Sequence, residues 1–452
     1  MNQAIILAAG KGTRMKSDLP KVAHEVCGKS MIELILKEVK KTNVEDIVTV
    51  LGYGSDIIVP KIENQSLIAY QTEQLGTGHA VMQATQIENN EGHTLVINGD
   101  CPLISHKTLT KMLEENEKHG AVVLTIKLKD PKEYGRVILN KDLTIDRIVE
   151  LKDCTEGEKS ISLINTGIYC FDNKLLFSCL KELKNDNSQN EYYITDLVKI
   201  INSKGISVGQ VECYNHDEVF GINSQKELAY INKVKRALIN ESHLENGGII
   251  VDPLNCYIDD DVVIEPQAKI YPNVHLRGNT VIGSKTIVDE GSVIIDSIIG
   301  ASCKIENSKI INSSIKSNVT VGPYAHIREG CIVESHNRVG NFVELKAVTL
   351  AEDSRCAHLT YLGNASVGSK VNIGCGVITV NYDGKDKYKT VIEDGSFIGS
   401  NCNLIAPITI GKDALVAAGS TVNKDIPSGD MGIARPRQEN VAGYGFKYKK
   451  KA

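Results

Sequence analysis

Three stretches of the chain carry residues whose type and spacing could do chemistry. Gly10-Lys11-Gly12-Thr13-Arg14-Met15 follows an apolar run and is closed by Leu19-Pro20-Lys21. Glycines placed after a buried strand let backbone N–H groups approach a phosphate, and Lys11, Arg14 and Lys21 could balance its charge. The loop lacks the spacing of a Walker motif and the third glycine of the dinucleotide fingerprint, so alone it is either a phosphate site or a surface turn. Asp100, in Asn98-Gly99-Asp100-Cys101-Pro102, ends a second apolar run. One carboxylate there is what Mg²⁺ needs, because this ion fills its shell with substrate phosphates and water; capping the following turn is the competing role. His358, in Cys356-Ala357-His358-Leu359, is a residue type that exchanges protons near neutrality, although a lone histidine is more often structural or solvated.

Two kinds of element must position these groups. From about residue 251 to 425 one aliphatic residue recurs every six positions, as in Ile258, Ile264, Ile270, Leu276, Ile282, Val288 and Ile294. After a slip come Ile299, Ile305 and Ile311, then Ile315, Val321, Ile327, Val333, Val339 and Leu345, and later Ile392, Ile398, Leu404, Ile410, Val416 and Val422. Small residues recur four positions further on, among them Ala268, Ser292, Cys303, Ala325, Cys331, Ser396, Cys402 and Ala414. A period of six fits neither a lone helix nor an alternating strand, but it fits the flat sides of a left-handed parallel β-helix built from hexapeptides. Coils stacked about 4.8 Å apart would form a three-sided prism. The register fails between Leu345 and Val367, around His358, and again across Asn381-Tyr382-Asp383-Gly384-Lys385, a polar insertion expected to loop out.

The first half alternates instead. Residues 3–9, 46–51, 67–71 and 94–98 read as strands, with helical spacing over 30–42 and from about residue 77, which predicts a doubly wound α/β sheet with ligands beyond the carboxyl ends of its strands. Gly221-Ile222-Asn223 precedes Ser224-Gln225-Lys226-Glu227, a capping-box pattern, and Leu228, Ile231, Val234 and Leu238 continue it as a connecting helix that Asn246-Gly247-Gly248 ends. The expected units are 1–222, a helical linker 223–247, and 248–452.

With 452 residues there is material for two or more cores, and a net charge of −5 without long blocks gives no nucleic-acid or membrane footprint. The basic tail 447–451 reads as a solvated end. Twelve cysteines with no CxxC pair suit reduced packing residues in a cytoplasmic protein, and residues 1–10 are too short for a signal core or a membrane span.

Leu7-Ala8-Ala9-Gly10-Lys11-Gly12-Thr13-Arg14-Met15, Pro20-Lys21, Glu73-Gln74-Leu75-Gly76-Thr77-Gly78-His79-Ala80, Asn98-Gly99-Asp100 and Tyr134-Gly135-Arg136 together resemble the nucleotidyltransferases that make nucleotide sugars. With the hexads behind it, the chain resembles over nearly its whole length the bacterial bifunctional family of N-acetylglucosamine-1-phosphate uridylyltransferases and glucosamine-1-phosphate N-acetyltransferases. That resemblance implies UTP against Leu7, Ala8, Gly10 and Lys21, with Gln71, Gly76 and Thr77 at the uracil and ribose. It implies Mg²⁺ on Asp100 and Asn223, and a sugar pocket of Gly135, Glu150, Asn165 and Asn223. In the second half it implies His358 as general base, Arg328, Lys346, Tyr361 and Asn372 at the sugar phosphate, and Asn381 and Tyr382 extending the acceptor site. Acetyl-CoA would contact Cys375, Ser400, Ala418 and Arg435. A homotrimer with active sites between prisms and a product used in envelope polymers are further implications. Two positions depart from the family pattern: Glu329 stands where proline is usual and Cys375 where alanine is usual, and Glu329 would weaken sugar-phosphate binding. The alternative is a monofunctional sugar-1-phosphate nucleotidyltransferase whose prism is regulatory.

Overall fold

The computed structural model describes residues 1–187 and 189–448, so residues 449–451 of the basic tail lie outside the described residues. The chain divides into two compact units, residues 1–235 and 236–452.

The first unit is an α/β sheet. Strands β1 (Asn2–Ala8), β2 (Val44–Leu51), β3 (Leu67–Tyr70), β4 (His93–Asn98), β5 (Ala121–Lys127), β6 (Leu163–Asp172) and β7 (Val208–Glu212) lie in the order β7-β5-β6-β4-β1-β2-β3. All pairs are parallel except those made by β6, which runs antiparallel to β4 and β5. Ala4, Ile6 and Ala8 enter one core and Ile5 and Ala9 the other, so β1 is buried on both faces, which is why it reads as an unbroken apolar run. Strand order reverses between β1 and β4, where a crevice opens at their carboxyl ends. Leu7 of β1 lies opposite Asn98 of β4, which sets the glycine loop beside Asp100.

In the second unit, short strands pair with the strand one coil further on, always in parallel. The hexad aliphatics from Ile258 to Leu404 and the small residues beside them are buried, with one correction. Ile310, not Ile311, points inward: Ile310 is fully buried whereas Ile311 is partly exposed. Ile264 opposes Ile282 eighteen positions on, but Ile294 opposes Ile310 only sixteen on, because this coil is shortened at two corners. Replacing Ile310 by alanine is therefore expected to cost about 2–5 kcal/mol in chemical denaturation, and Ile311→Ala less than about 1 kcal/mol.

The wall does not break between Leu345 and Val367 either. Arg338–Leu350 pairs with Arg355–Val367, putting Leu345 against Leu362 and Leu350 against Val367. Buried Cys356, standing at an aliphatic position, and the five-residue step from Leu345 to Leu350 hide the period there. Around residues 381–389 the chain does leave the prism, since Val367 opposes Ile392, twenty-five positions on.

The helix spans Gln225–Glu245, and the division between the units falls within it. Half of the capping box forms: the Glu227 N–H donates to Ser224 Oγ at 3.3 Å, while the Glu227 carboxylate accepts from the Asn223 N–H at 2.7 Å. The expected apolar stripe shifts after Val234. Leu238 is half exposed, and Ile239 and Asn240 are buried instead, because the Asn240 amide donates to the carbonyls of Pro253 and Cys256 at 2.6 and 3.2 Å.

Candidate active sites

In the first unit, the crevice at the strand reversal is lined by Leu7, Ala8, Gly10, Lys21, Gln71 and Thr77, together with Gly76 and Asp100. Each place follows from local structure. A side chain at Gly10 would meet nothing, so this stretch of backbone faces open space, as a phosphate-binding turn requires. Gly12 has a φ of 65°, and a Cβ there would fall 2.6 Å from Cβ of Lys21, so glycine lets Lys21 fold under the loop. Buried Gln71 is oriented by donation to the Gly76 carbonyl at 3.1 Å.

Lys21 Nζ lies 2.5 Å from Asp100 Oδ2 and donates to Asn223 Oδ1 at 2.9 Å, and Arg14 Nη2 donates to that same amide oxygen at 2.9 Å. The Ile222 N–H donates to the Asp100 carbonyl at 3.0 Å and thereby carries Asn223, far away in sequence, to the carboxylate. Gly221 leaves the carboxylate uncovered, since a Cβ there would sit 3.5 Å from both of its oxygens. A carboxylate and an amide oxygen thus converge on one cationic nitrogen. That is a hard-oxygen donor set suited to Mg²⁺, with the ammonium standing in as the cation. Lys21 and Arg14 reach this point, whereas Lys11 lies over the Tyr53 ring, 5.1 Å from its centroid.

Two adjoining hollows extend the crevice. One is shared by Asp100, Asn98, Tyr134 and Asn223, and burial raises the Tyr134 hydroxyl pKa there. The other holds Glu150 with Thr77 and Glu191. A Cβ on Gly135 would sit 3.5 Å from the Glu150 oxygens, so that glycine keeps the carboxylate open. Burial first, then Asp153, pushes the Glu150 pKa up. Asn165 is turned inward at a strand bulge, its amide donating to Tyr169 Oη at 2.7 Å and its oxygen accepting from the Gly167 N–H at 3.0 Å; Thr166 lines the hollow beside it. Asn98, which lines two of the hollows, was not singled out from the sequence. A polar residue closing an apolar strand was the signal.

In the second unit, one corner of the prism gathers His358, Cys375, Ser400 and Ala418 on successive coils. Hydrogen bonds of 2.8, 2.7 and 2.8 Å, from Gly376 N to Leu359 O, Asn401 N to Cys375 O and Gly419 N to Ser400 O, stitch it together. Arg435 closes the column by donating to the Ala418 carbonyl at 2.8 Å. His358 Nδ1 lies 3.0 Å from Oδ1 of Asn341, its partner one coil earlier. An amide oxygen accepts, so Nδ1 carries the proton and Nε2 keeps its lone pair outward. Asn341 was not singled out, because the seventeen-residue coil that pairs it with His358 appears only in the fold.

The next face carries Arg328, Lys346 and Tyr361. His326 opposes Glu344, and Glu344 opposes Tyr361, which places Arg328 beside Lys346. Arg328 Nη1 meets Glu344 at 2.9 Å, and Lys346 Nζ meets Glu329 at 3.1 Å. Asn381 reaches this face at the root of the extruded loop, its amide donating to Asn364 Oδ1 at 2.7 Å, and exposed Tyr382 follows it. Asn372 stands on the preceding face, in register with Arg355 and Phe397. A single chain therefore presents the predicted acetyl-site residues in separate groups on neighbouring faces.

Taken together, fold and constellations define a nucleotidyl transferase domain followed by a hexapeptide-repeat transferase domain. The nucleotidyl transferase family model matches residues 3–213, and the bacterial transferase hexapeptide (six repeats) model matches residues 312–347 and 389–424. The chain is 48% identical over 449 residues to the bifunctional protein GlmU of Streptococcus mutans, covering 99% of this chain and 98% of that protein. It is 47% identical to the protein of the same name from Clostridioides difficile, covering 96% and 95%, and 45% identical to that of Listeria innocua, covering 98% and 97%. The chain belongs to the bifunctional GlmU family and is a bifunctional transferase.

Proposed function

We propose that the C-terminal half transfers acetyl from acetyl-CoA to glucosamine-1-phosphate, and that the N-terminal half joins the product to UTP, giving UDP-N-acetylglucosamine and pyrophosphate. The observation that carries the uridylyl assignment is the convergence of Asp100, Asn223 and Lys21 at the mouth of the glycine loop. Asp100 and Asn223 would hold Mg²⁺, which when bound neutralises phosphate charge. A sugar-phosphate oxygen attacks the α-phosphorus in line and pyrophosphate departs. No protein nucleophile is needed, so the chain's own part is alignment and charge balance by Lys21, Arg14 and loop amides. Gln71, Gly76 and Thr77 seat the base and ribose, and Glu150 faces the sugar hydroxyls.

In the acetyl half, Nε2 of His358 takes the proton that the sugar amine loses as it attacks the thioester carbonyl, and the CoA thiolate leaves. Arg328 and Lys346 clamp the sugar phosphate, and Arg435 suits a coenzyme A phosphate. The separation of these groups on neighbouring faces supports a homotrimer whose copies complete each other's sites. So does a stripe at the His358 corner: Tyr324, Phe342 and Leu359 are 56–59% exposed although apolar, with left-handed backbone angles that bulky residues rarely take. Among the described residues no helix is long and apolar enough to cross a membrane, and all twelve cysteines are free thiols, in keeping with a cytoplasmic enzyme.

One purified sample given all four substrates, with pyrophosphate and free thiol measured in parallel, tests the proposal. Both products are expected. Pyrophosphate without thiol, from protein that sediments as a trimer, would favour a monofunctional enzyme with a regulatory prism.

A further inference from the structure

Arg328 and Lys346, the two cations assigned to the sugar phosphate, are already engaged by a carboxylate of the same chain. Glu329 Oε1 lies 3.1 Å from Lys346 Nζ, and Oε2 lies 3.8 Å from Arg328 Nε. One carboxylate thus spans both cations with its two oxygens, much as two phosphate oxygens would. Glu344 engages Arg328 separately, through Nη1. The Glu329 backbone is pinned, because its carbonyl accepts from the Ala347 N–H at 3.1 Å, but its side chain is 51% exposed against 24% for Lys346. The acid can therefore rotate into solvent while the ammonium stays. Its own backbone N–H and then Lys346 hold its carboxyl below the usual carboxylate range, so it is an anion at neutral pH.

We propose that Glu329 is a tethered competitor at the Arg328–Lys346 clamp, which sugar phosphate must displace before it binds. The inference rests on the clamp assigned above. A tethered group competes at constant local concentration, so the apparent affinity for the ligand falls by the fraction of time the clamp is free. That factor is the same for every anion that must displace the tether, so Glu329 lowers affinity at the clamp without changing which anion is preferred. An exposed ion pair of this kind is weak, and removing it is expected to tighten binding by about three-fold.

The test compares the full chain with Glu329→Gln and Glu329→Asp. Glu329→Gln should lower KM for glucosamine-1-phosphate about three-fold, leave KM for acetyl-CoA unchanged, and tighten binding of inorganic phosphate by a similar factor in calorimetry. Glu329→Asp, one methylene shorter, should fall between Glu329→Gln and the parent. An unchanged or higher KM for the sugar phosphate in Glu329→Gln would overturn the proposal while leaving the acetyl-transfer assignment intact. If the parent chain transferred no acetyl group, that assignment would fail. Phosphate calorimetry would still judge the tether, and equal affinity in parent and Glu329→Gln would refute it.

Discussion

His358→Ala is expected to slow acetyl transfer by about 10²–10⁴-fold, the usual contribution of a positioned general base, and to leave uridylyl transfer at the parent rate. The expectation follows from placement. Asn341 Oδ1, 3.0 Å from Nδ1, leaves Nε2 as the ring's proton acceptor, and the corner below it presents Cys375, Ser400 and Ala418 as a strip of small side chains along which a thioester can lie. Alanine removes the acceptor without opening a cavity, since this corner faces outward. Thiol release from acetyl-CoA, followed with a chromogenic disulfide, reads the loss, and pyrophosphate release from UTP and N-acetylglucosamine-1-phosphate is the internal control. Loss of both activities in folded protein would sink the two-site model.

Asp100→Ala should do the reverse, lowering uridylyl transfer by on the order of 10²–10³-fold at fixed Mg²⁺ while acetyl transfer continues. Two effects act together. A bound ion would lose the carboxylate that converges with the Asn223 amide oxygen on Lys21, and Lys21 loses the partner 2.5 Å away that fixes its ammonium at the loop. Because one of these is a loss of metal affinity, raising Mg²⁺ should restore part of the rate. A merely structural role for Asp100 predicts no such recovery. Titrating both proteins with Mg²⁺ at saturating substrate separates the two outcomes.

Much of this architecture was legible in the residues because two physical rules write strong patterns. A coil with three flat sides admits one aliphatic residue per side, so the hexads announced the prism. A sheet buried on both faces leaves unbroken apolar runs such as residues 3–9, so the glycine loop and Asp100 could be placed at strand ends. The misreadings in the prism share one cause, which is that local pattern does not count residues per coil. Ile310 and Ile311 are adjacent and equally apolar, and only the shortened coil decides which points inward. The stretch holding His358 read as a failure of the repeat because Cys356 replaces an aliphatic residue inside an intact wall and the step from Leu345 to Leu350 is one residue short. Leu238 gave way to Ile239 because a buried amide, Asn240, finds carbonyl partners on that side of the helix. Contacts between residues distant in number, such as Lys21 with Asn223 or Asn341 with His358, leave no local trace. Glu329 was recognisable as an anion beside Arg328, but its reach across to Lys346 depends on the coil stacking.

The parallel ladder also bears on how the chain comes into being at the ribosome. The sheet of the first unit is complete only once Val208–Glu212, its edge strand and the last in sequence, has been synthesised. The prism has no such closing stroke. Each strand pairs only with strands one coil away, a topology that lets coils dock in order as they emerge, so the corner bearing His358 can be in place while later coils are still being translated.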